Sequence, residues 1–177
     1  MKIIKYVLAS FMAFGLLFNC GGEKKKEEQP SQIKLKAADT KKADENVANI
    51  FIEANDLMQY IYDGFKPGER IKIKVKAGQK VKVTLRHIGT LDKNVMGHNF
   101  VILKPGVDIP EFAALASTEK ANDYIPADTQ DVIVHTKIIG GGETTSIEFD
   151  APPAGTYNFI CSFPAHYAMM QGDFIVE

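Results

Sequence analysis

Cys161, His166 and Met170 stand close together near the C-terminus, in Cys161-Ser162-Phe163-Pro164-Ala165-His166-Tyr167-Ala168-Met169-Met170. In an extended strand Cys161 and His166 would face opposite sides, because their separation is odd. The segment therefore reads as a loop between two strands, where close spacing can turn several side chains inward. A thiolate, an imidazole and a thioether suit a metal that is soft when reduced and borderline when oxidised, which describes copper. A Cys, two His and a long axial Met make up the blue-copper donor set. The same residue types also allow zinc on Cys161, His98 and His166 with an open position. They allow a Cys–His nucleophilic dyad, or plain core packing of Cys161 and Met170. A thioether argues against zinc, and no oxyanion or activated-water feature accompanies the dyad.

The loop supplies one imidazole, so a second must come from His87, His98 or His135. His98 stands in Lys93-Asn94-Val95-Met96-Gly97-His98-Asn99-Phe100. The Gly before it permits close backbone approach, and the apolar strand after it would pin it to the fold. Asn94-Val95-Met96-Gly97-His98-Asn99, together with Cys161-x-Phe163-Pro164-x-His166 and Met170, resembles the azurins, blue-copper proteins of the cupredoxin fold. The similarity runs over about residues 71–177 and includes Val134-His135-Thr136-Lys137-Ile138-Ile139-Gly140. With both motifs present in order, simple core packing no longer accounts for Cys161 and Met170.

The resemblance implies roles for individual residues. His98, Cys161 and His166 would be the equatorial ligands of one copper ion, with Met170 as axial thioether. Gly97 would offer its carbonyl oxygen weakly from the opposite side, and Met169 would be an apolar neighbour, not a ligand. Asn99 and Phe163 match positions whose backbone N–H groups bond the Cys sulfur and help set its potential. Leu91, Val95, Met96, Phe163, Pro164, Ala165 and Met169 match an apolar docking patch around His166, the electron exit. His87 and His135 match family histidines that are not ligands; His87 reads as a partly buried titrating group, His135 as a solvated strand position. Three departures stand out. Phe100 replaces a buried Trp, Ala165 replaces a Gly, and the family's N-terminal disulfide has no counterpart, since Cys20 and Cys161 are the only cysteines.

The elements that must position these residues are mostly strands. Ile71, Ile73 and Val75 alternate with lysines, as do Val81, Val83 and Leu85 across Ala77-Gly78-Gln79; this predicts two half-buried antiparallel strands joined by a tight turn. Further strand-like runs cover Val47–Ala54, Asn99–Leu103, Val132–Ile139, Thr144–Phe149, Thr156–Phe163 and Asp173–Val176, punctuated by Gly140-Gly141-Gly142 and Pro152-Pro153-Ala154-Gly155. About eight short strands predict an all-β Greek-key sandwich or barrel, cupredoxin-like by the resemblance, with one short helical insertion. The insertion falls between Asp108 and Lys120, capped by Asp108, with Pro110 in its first turn and Phe112, Leu115 and Ala116 as its apolar face.

The N-terminus reads as a targeting segment. Lys2 and Lys5 precede an uncharged apolar run from Tyr6 to Phe18, too short to span a bilayer comfortably. It ends in Leu17-Phe18-Asn19-Cys20-Gly21-Gly22, which resembles a bacterial lipoprotein cleavage box with bulkier residues than usual before the Cys. Residues 1–19 are expected to be a lipoprotein signal peptide and Cys20 to carry lipid. An ordinary signal peptide with an incidental Cys is the alternative; either way the mature protein is exported. Residues 20–46 mix charges with few bulky apolar side chains and are expected to form a flexible tether. A flexible coil of that length spans about 25–30 Å. The arrangement resembles membrane-anchored azurin-like and auracyanin-like proteins. Residues 47–177 would form the cupredoxin domain.

The 177 residues are 45% hydrophobic and 24% charged with a formal net charge of −1, which suits one soluble domain and excludes a disordered chain or a basic nucleic-acid binder. The expected function is electron transfer through one copper ion cycling between Cu(I) and Cu(II), not enzymatic catalysis. The expected setting is periplasmic, membrane-anchored through Cys20. Expected partners are redox proteins such as c-type cytochromes or copper or haem reductases and oxidases, met by a monomeric domain. A lipid-anchored carrier or store that hands over copper itself is the alternative.

Overall fold

The computed structural model describes residues 46–64, 66 and 69–177. The expected signal peptide, Cys20 and the tether, apart from Asn46, lie outside the described residues. The strands are β1 (Val47–Asn55), β2 (Gln59–Ile61), β3 (Ile71–Val75), β4 (Lys80–His87) and β5 (Val101–Leu103). They continue with β6 (Val132–His135), β7 (Thr144–Asp150), β8 (Gly155–Ile160) and β9 (Gln171–Val176). Two short helices, α1 (Lys93–Met96) and α2 (Ile109–Ala116), and a 3-10 turn over Lys120–Asn122 complete the set.

The strands form two sheets, β2-β1-β4-β7 and β3-β9-β8-β5-β6. The all-β sandwich expected from the sequence is therefore present, with a ninth strand, β2, among the described residues. Strand alternation sets which side chains meet between the sheets. Ile50, Ile52, Val81, Val83 and Leu85 face Ile73, Phe159 and Phe174 in one buried cluster. Each fully buried Val, Leu or Ile contributes about 1.5–3 kcal/mol.

The turn after Val75 corrects one expectation. β3 and β4 are not a hairpin. β3 pairs in parallel with β9, whereas β4 pairs in parallel with β1 and antiparallel with β7. Alternation in Ile71–Val75 and Val81–Leu85 told which face of each strand is buried, not which strand lies beside it. Two one-faced strands can satisfy the same pattern by facing each other across the sandwich. The linking turn places Gly78 at φ +75, a conformation other residues rarely adopt. Its backbone is tied to other segments, with Ala77 N–H donating to Glu177 O at 2.8 Å and Ala151 N–H to Gln79 O at 2.8 Å.

The helical insertion starts as expected. Asp108 accepts a hydrogen bond from Glu111 N–H at 2.9 Å, and Pro110 lies in the first turn. Its buried face differs: Phe112, Ala113 and Ala116 point inward, while Leu115 is 58% exposed. Phe112 and Ala116 pack on Val101, Leu103 and Ile160, a second small core on the outer side of the five-stranded sheet. β5 is thus buried on both faces, its three residues all inside.

Candidate metal centre

Both ligand-bearing segments leave the sandwich at one end. His98 follows α1, not an extended run, and its only ladder contact is a single bridge to Ile139, with N–H and C=O exchanged at 2.9 Å each. Asp92 caps α1 through Asn94 N–H at 2.8 Å. Gly97 then turns the chain inward. A Cβ there would come within 2.5 Å of Lys93 O and 2.8 Å of the Phe163 ring, so only glycine fits this approach.

The second segment is a closed loop between β8 and β9. Cys161 N–H donates to Met170 O at 2.9 Å and joins its two ends. Within it, His166 N–H donates to Phe163 O at 3.0 Å, with Pro164 and Ala165 at the turn's centre. Proline at the first central position and positive φ at the second mark a type II turn. Ala165 holds φ +67, where glycine is favoured. Met170 N–H donates to His166 O at 2.8 Å, completing a turn that carries Met170 to the buried side. Met170 is fully buried while Met169 is 66% exposed.

The loop and the His98 segment bring three donors together. Cys161 Sγ lies 3.7 Å from His166 Nδ1 and 3.9 Å from His98 Nδ1. The ligand atoms of these three residues all lie within 4.8 Å of one another. Nitrogen and thiolate bonds to a first-row divalent ion are about 2.0 and 2.3 Å, so a sulfur and a nitrogen spread trigonally around one ion would stand about 3.7–3.8 Å apart, and two nitrogens about 3.5 Å. The two observed sulfur–nitrogen distances match that spacing. Gly97 O also stands 3.9 Å from Sγ.

The nitrogens are already aimed. His98 Nε2 lies 3.0 Å from the Asn55 carbonyl, which can only accept, so Nε2 carries the proton and Nδ1 presents its lone pair to the centre. Burial holds the His98 imidazole down to about 3, with the neighbouring charges of His87 and His166 adding to the effect. Burial likewise lowers His166 to about 4, with His87 adding. Both rings are neutral donors at neutral pH. Burial pushes the Cys161 thiol up to about 11, against a smaller opposing effect of the Asn99 and Phe163 backbone N–H groups and the Tyr60 hydroxyl. A buried thiol between two neutral imidazoles, with a buried thioether nearby, is a donor set for copper. A cation there would favour the thiolate that desolvation alone resists.

The remaining sequence-expected residues fall in three places. Asn99 is buried and links the two segments; Phe163 is 8% exposed, its ring 4.6 Å from that of His166 and 5.0 Å from Tyr124. Phe163 thus lies beneath the surface instead of in an exposed patch. Leu91, Val95 and Ala165 are exposed, while Met96 and Pro164 are half-buried. Met96 ends the helical turn that leads into Gly97 and His98. His87 is fully buried, not partly, with Nε2 3.1 Å from Asp56 Oδ1 and its ring 4.5 Å from that of His98. His135 is half-buried on β6, with Nδ1 3.0 Å from Thr136 O.

Sequence reasoning missed Asn55, Asp56, Tyr60 and Ser162. Asp56 accepts from Thr90 N–H at 2.8 Å and Leu91 N–H at 3.3 Å, which ties the loop before α1 to β1. Asn55 orients His98 from 43 residues away. The one local signal was Asn-Asp at the end of the first apolar strand run, a common strand stop that names no partner.

The family model for copper-binding proteins of the plastocyanin/azurin family matches residues 53–177. An azurin of Achromobacter denitrificans is 38% identical over 124 residues, covering 68% of this chain and 78% of that protein. An azurin of Alcaligenes faecalis is 37% identical over 130 residues, covering 70% and 94%. Among solved structures, dithionite-reduced auracyanin from Roseiflexus castenholzii superposes with a TM-score of 0.61 at 32% identity, covering 73% of this chain and 97% of that one. Auracyanin A, a blue copper protein from Chloroflexus aurantiacus, superposes with a TM-score of 0.63 at 28% identity, covering 74% and 99%. With His98, Cys161, His166 and Met170 gathered as a type 1 copper site, the chain belongs to the plastocyanin/azurin family of copper-binding proteins, and its chemistry is electron transfer, not enzymatic turnover.

Proposed function

We propose that this protein is an exported, lipid-anchored carrier that takes single electrons from one membrane or periplasmic redox protein and delivers them to another. The observation that carries the reading is the preformed triad of Cys161 Sγ, His98 Nδ1 and His166 Nδ1. Copper bound there supplies a one-electron couple between Cu(I) and Cu(II). The chain's part is to keep the donor set nearly unchanged in both states. Asn55 holds His98, the closed loop holds Cys161 and His166, and Met170 is fixed at the loop's end, where its thioether would complete the donor set. Side chains that hardly move cost little reorganisation when charge changes. A rigid buried set also suits a resident ion better than one handed to another protein.

His166 is the exit in this reading. It is 3% exposed, and Leu91, Val95, Ala165 and Met169, the exposed members of the patch that the resemblance implies, would form an apolar rim around it. An apolar rim sheds water easily and supports brief contacts, as small redox interfaces require. Candidate partners are c-type cytochromes and copper or haem reductases and oxidases. The apolar run of 6–18 and Cys20 support export and lipid attachment.

Loading the protein with copper tests the site. An intense thiolate-to-copper band in the red is expected, and Cys161→Ser should abolish it while the β-sheet spectrum stays. A colourless copper complex of the unaltered protein would refute the reading. Labelled lipid should attach to the unaltered chain and not to Cys20→Ala; label retained by that variant would defeat the anchor.

A further inference from the structure

His166 and Tyr167 are neighbours in the chain that serve two different cores. The His166 ring belongs to the metal centre, with Nδ1 3.7 Å from Cys161 Sγ. Tyr167 is half-buried and packs instead on the small cluster outside the five-stranded sheet. That cluster joins Phe112 and Ala116 of α2 to Val101 and Ile160. Ile160 directly precedes Cys161, and Val101 follows Asn99 by two residues. The hydrogen bonds inside the ligand loop, Cys161 N–H to Met170 O and Met170 N–H to His166 O, tie the loop to itself. The Tyr167 ring ties it to the helical insertion.

The same insertion reaches the site at a second place. Asp123 and Tyr124 hold φ +54 and +58, two adjacent non-glycine residues in the left-handed region. Such backbone persists only where its surroundings over-determine it. Asp123 O accepts from Asn99 Nδ2 at 2.8 Å, Asp123 Oδ1 accepts from Ile138 N–H at 3.0 Å, and the Tyr124 ring meets that of Phe163 edge-on at 5.0 Å.

We infer that Tyr167 is a positioning residue through which the helical insertion holds His166 in place, so that the metal centre keeps one geometry in both oxidation states. The inference goes beyond the ligand set, and its electron-transfer half rests on the copper reading above. A closed loop can still tilt as a unit about its two ends. A large ring packed against a cluster on the loop's outer side opposes that tilt, because close-packed side chains yield little. His166 shares a peptide bond with Tyr167 and is held with it.

Amide hydrogen exchange of the metal-free protein tests the fastening. Tyr167→Ser should speed exchange at the Cys161 and Met170 amides about tenfold or more, beyond any change at Val83 and Leu85 in the other sheet, which report global opening. Tyr167→Phe keeps the ring and should stay within about twofold of the unaltered protein. Phe112→Ala, on α2, should speed the same loop amides, and should add little once Tyr167 is serine. Loop amides that speed up no more than those of Val83 and Leu85 would reduce Tyr167 to general stability and overturn the inference. So would Phe112→Ala and Tyr167→Ser effects that simply add. In the copper-loaded protein, Tyr167→Ser should keep a thiolate-to-copper band and slow electron self-exchange about fivefold, while an unchanged rate would overturn the electron-transfer half. Absence of any such band in the unaltered protein would overturn the copper reading instead, and the metal-free exchange would still decide the fastening.

Discussion

Asn99 and Ser162 hold each other at two points. Ser162 N–H donates to Asn99 Oδ1 at 2.9 Å, and Asn99 Nδ2 donates to Ser162 Oγ at 2.9 Å. Each residue follows a proposed copper ligand, His98 in one case and Cys161 in the other. The pair therefore straps the two ligand segments together. Asn99 Nδ2 also donates to Asp123 O at 2.8 Å, which extends the strap to the turn after α2.

Asn99→Ala should loosen this strap. It leaves the Ser162 N–H, the Ser162 hydroxyl and the Asp123 carbonyl without their partner. Buried groups left unpaired cost about 1–3 kcal/mol each, with sums that are rarely additive. A loss of about 2–4 kcal/mol is expected in urea unfolding of the metal-free protein. The copper-loaded variant should show a displaced or broadened thiolate band. A loss below about 0.5 kcal/mol would mean that water replaces the side chain without difficulty.

Ala165→Gly should act the other way. A non-glycine residue in the left-handed region costs about 1–2 kcal/mol. Glycine gives back part of this, because it loosens the unfolded chain by about 0.4–1 kcal/mol. A net gain of about 0.5–1 kcal/mol in the urea midpoint is expected. The type II turn would persist, since Pro164 already fixes its first central position. A destabilised variant would show that the Ala165 methyl makes a contact worth more than the strain.

Much of this site could be read from the sequence because three of its ligands share one short loop. Cys161, His166 and Met170 needed no knowledge of the fold, and His98 came with a recognisable neighbourhood. The support could not be read in the same way. Asn55, Tyr60 and Ser162 reach the site across 43, 39 and 63 residues in their bonds to His98 and Asn99. An isolated Asn, Tyr or Ser carries no sign of such a partner. The fold shows the same division. Period-two alternation identified β3 and β4 and their buried faces. It held no information on pairing, so strands in opposite sheets read as a hairpin. β2 has three residues, too few for any period to register. α1 escaped notice for a related reason: a four-residue helix leaves no periodic trace.

The metal-free protein should lose stability in acid over a defined window. His98 and His166 are held down to about 3 and about 4 in the folded state. An unfolded imidazole titrates near 6.5. Between these values the unfolded chain binds protons that the folded one refuses. The contribution is thus present above about pH 6.5 and is lost as pH falls toward 4 and then 3. Each unit of separation corresponds to about 1.4 kcal/mol, so a loss of about 3 kcal/mol or more is expected between pH 7 and 4. Urea midpoints of the metal-free protein at these two pH values measure it. Bound copper should protect against the loss, since ligated nitrogens cannot take a proton. Equal midpoints at both pH values would show that the imidazoles are already exposed to water.

The proposed docking rim can be probed with a charge, and Val95 is the position for it. Met96 is half-buried at the end of α1, so a lysine there would disturb packing as well as docking. Val95 is 62% exposed on the same turn. Lysine at this position can keep its ammonium in water in the free protein. When two copies meet rim to rim, that ammonium must lose water or face its twin. Like charges about 8 Å apart in water repel by about 0.5 kcal/mol, and more where water is squeezed out. Val95→Lys should therefore slow electron self-exchange by about two- to fivefold or more at low salt. Raising ionic strength should restore part of the rate, because screening shortens the range of the repulsion. The thiolate band and the potential should stay near those of the unaltered protein, since Val95 is largely exposed and is not one of the ligands. Self-exchange measured by line broadening in mixtures of the reduced and oxidised protein gives the rate directly. An unchanged rate with an unchanged band would place the exit on a different face of the molecule.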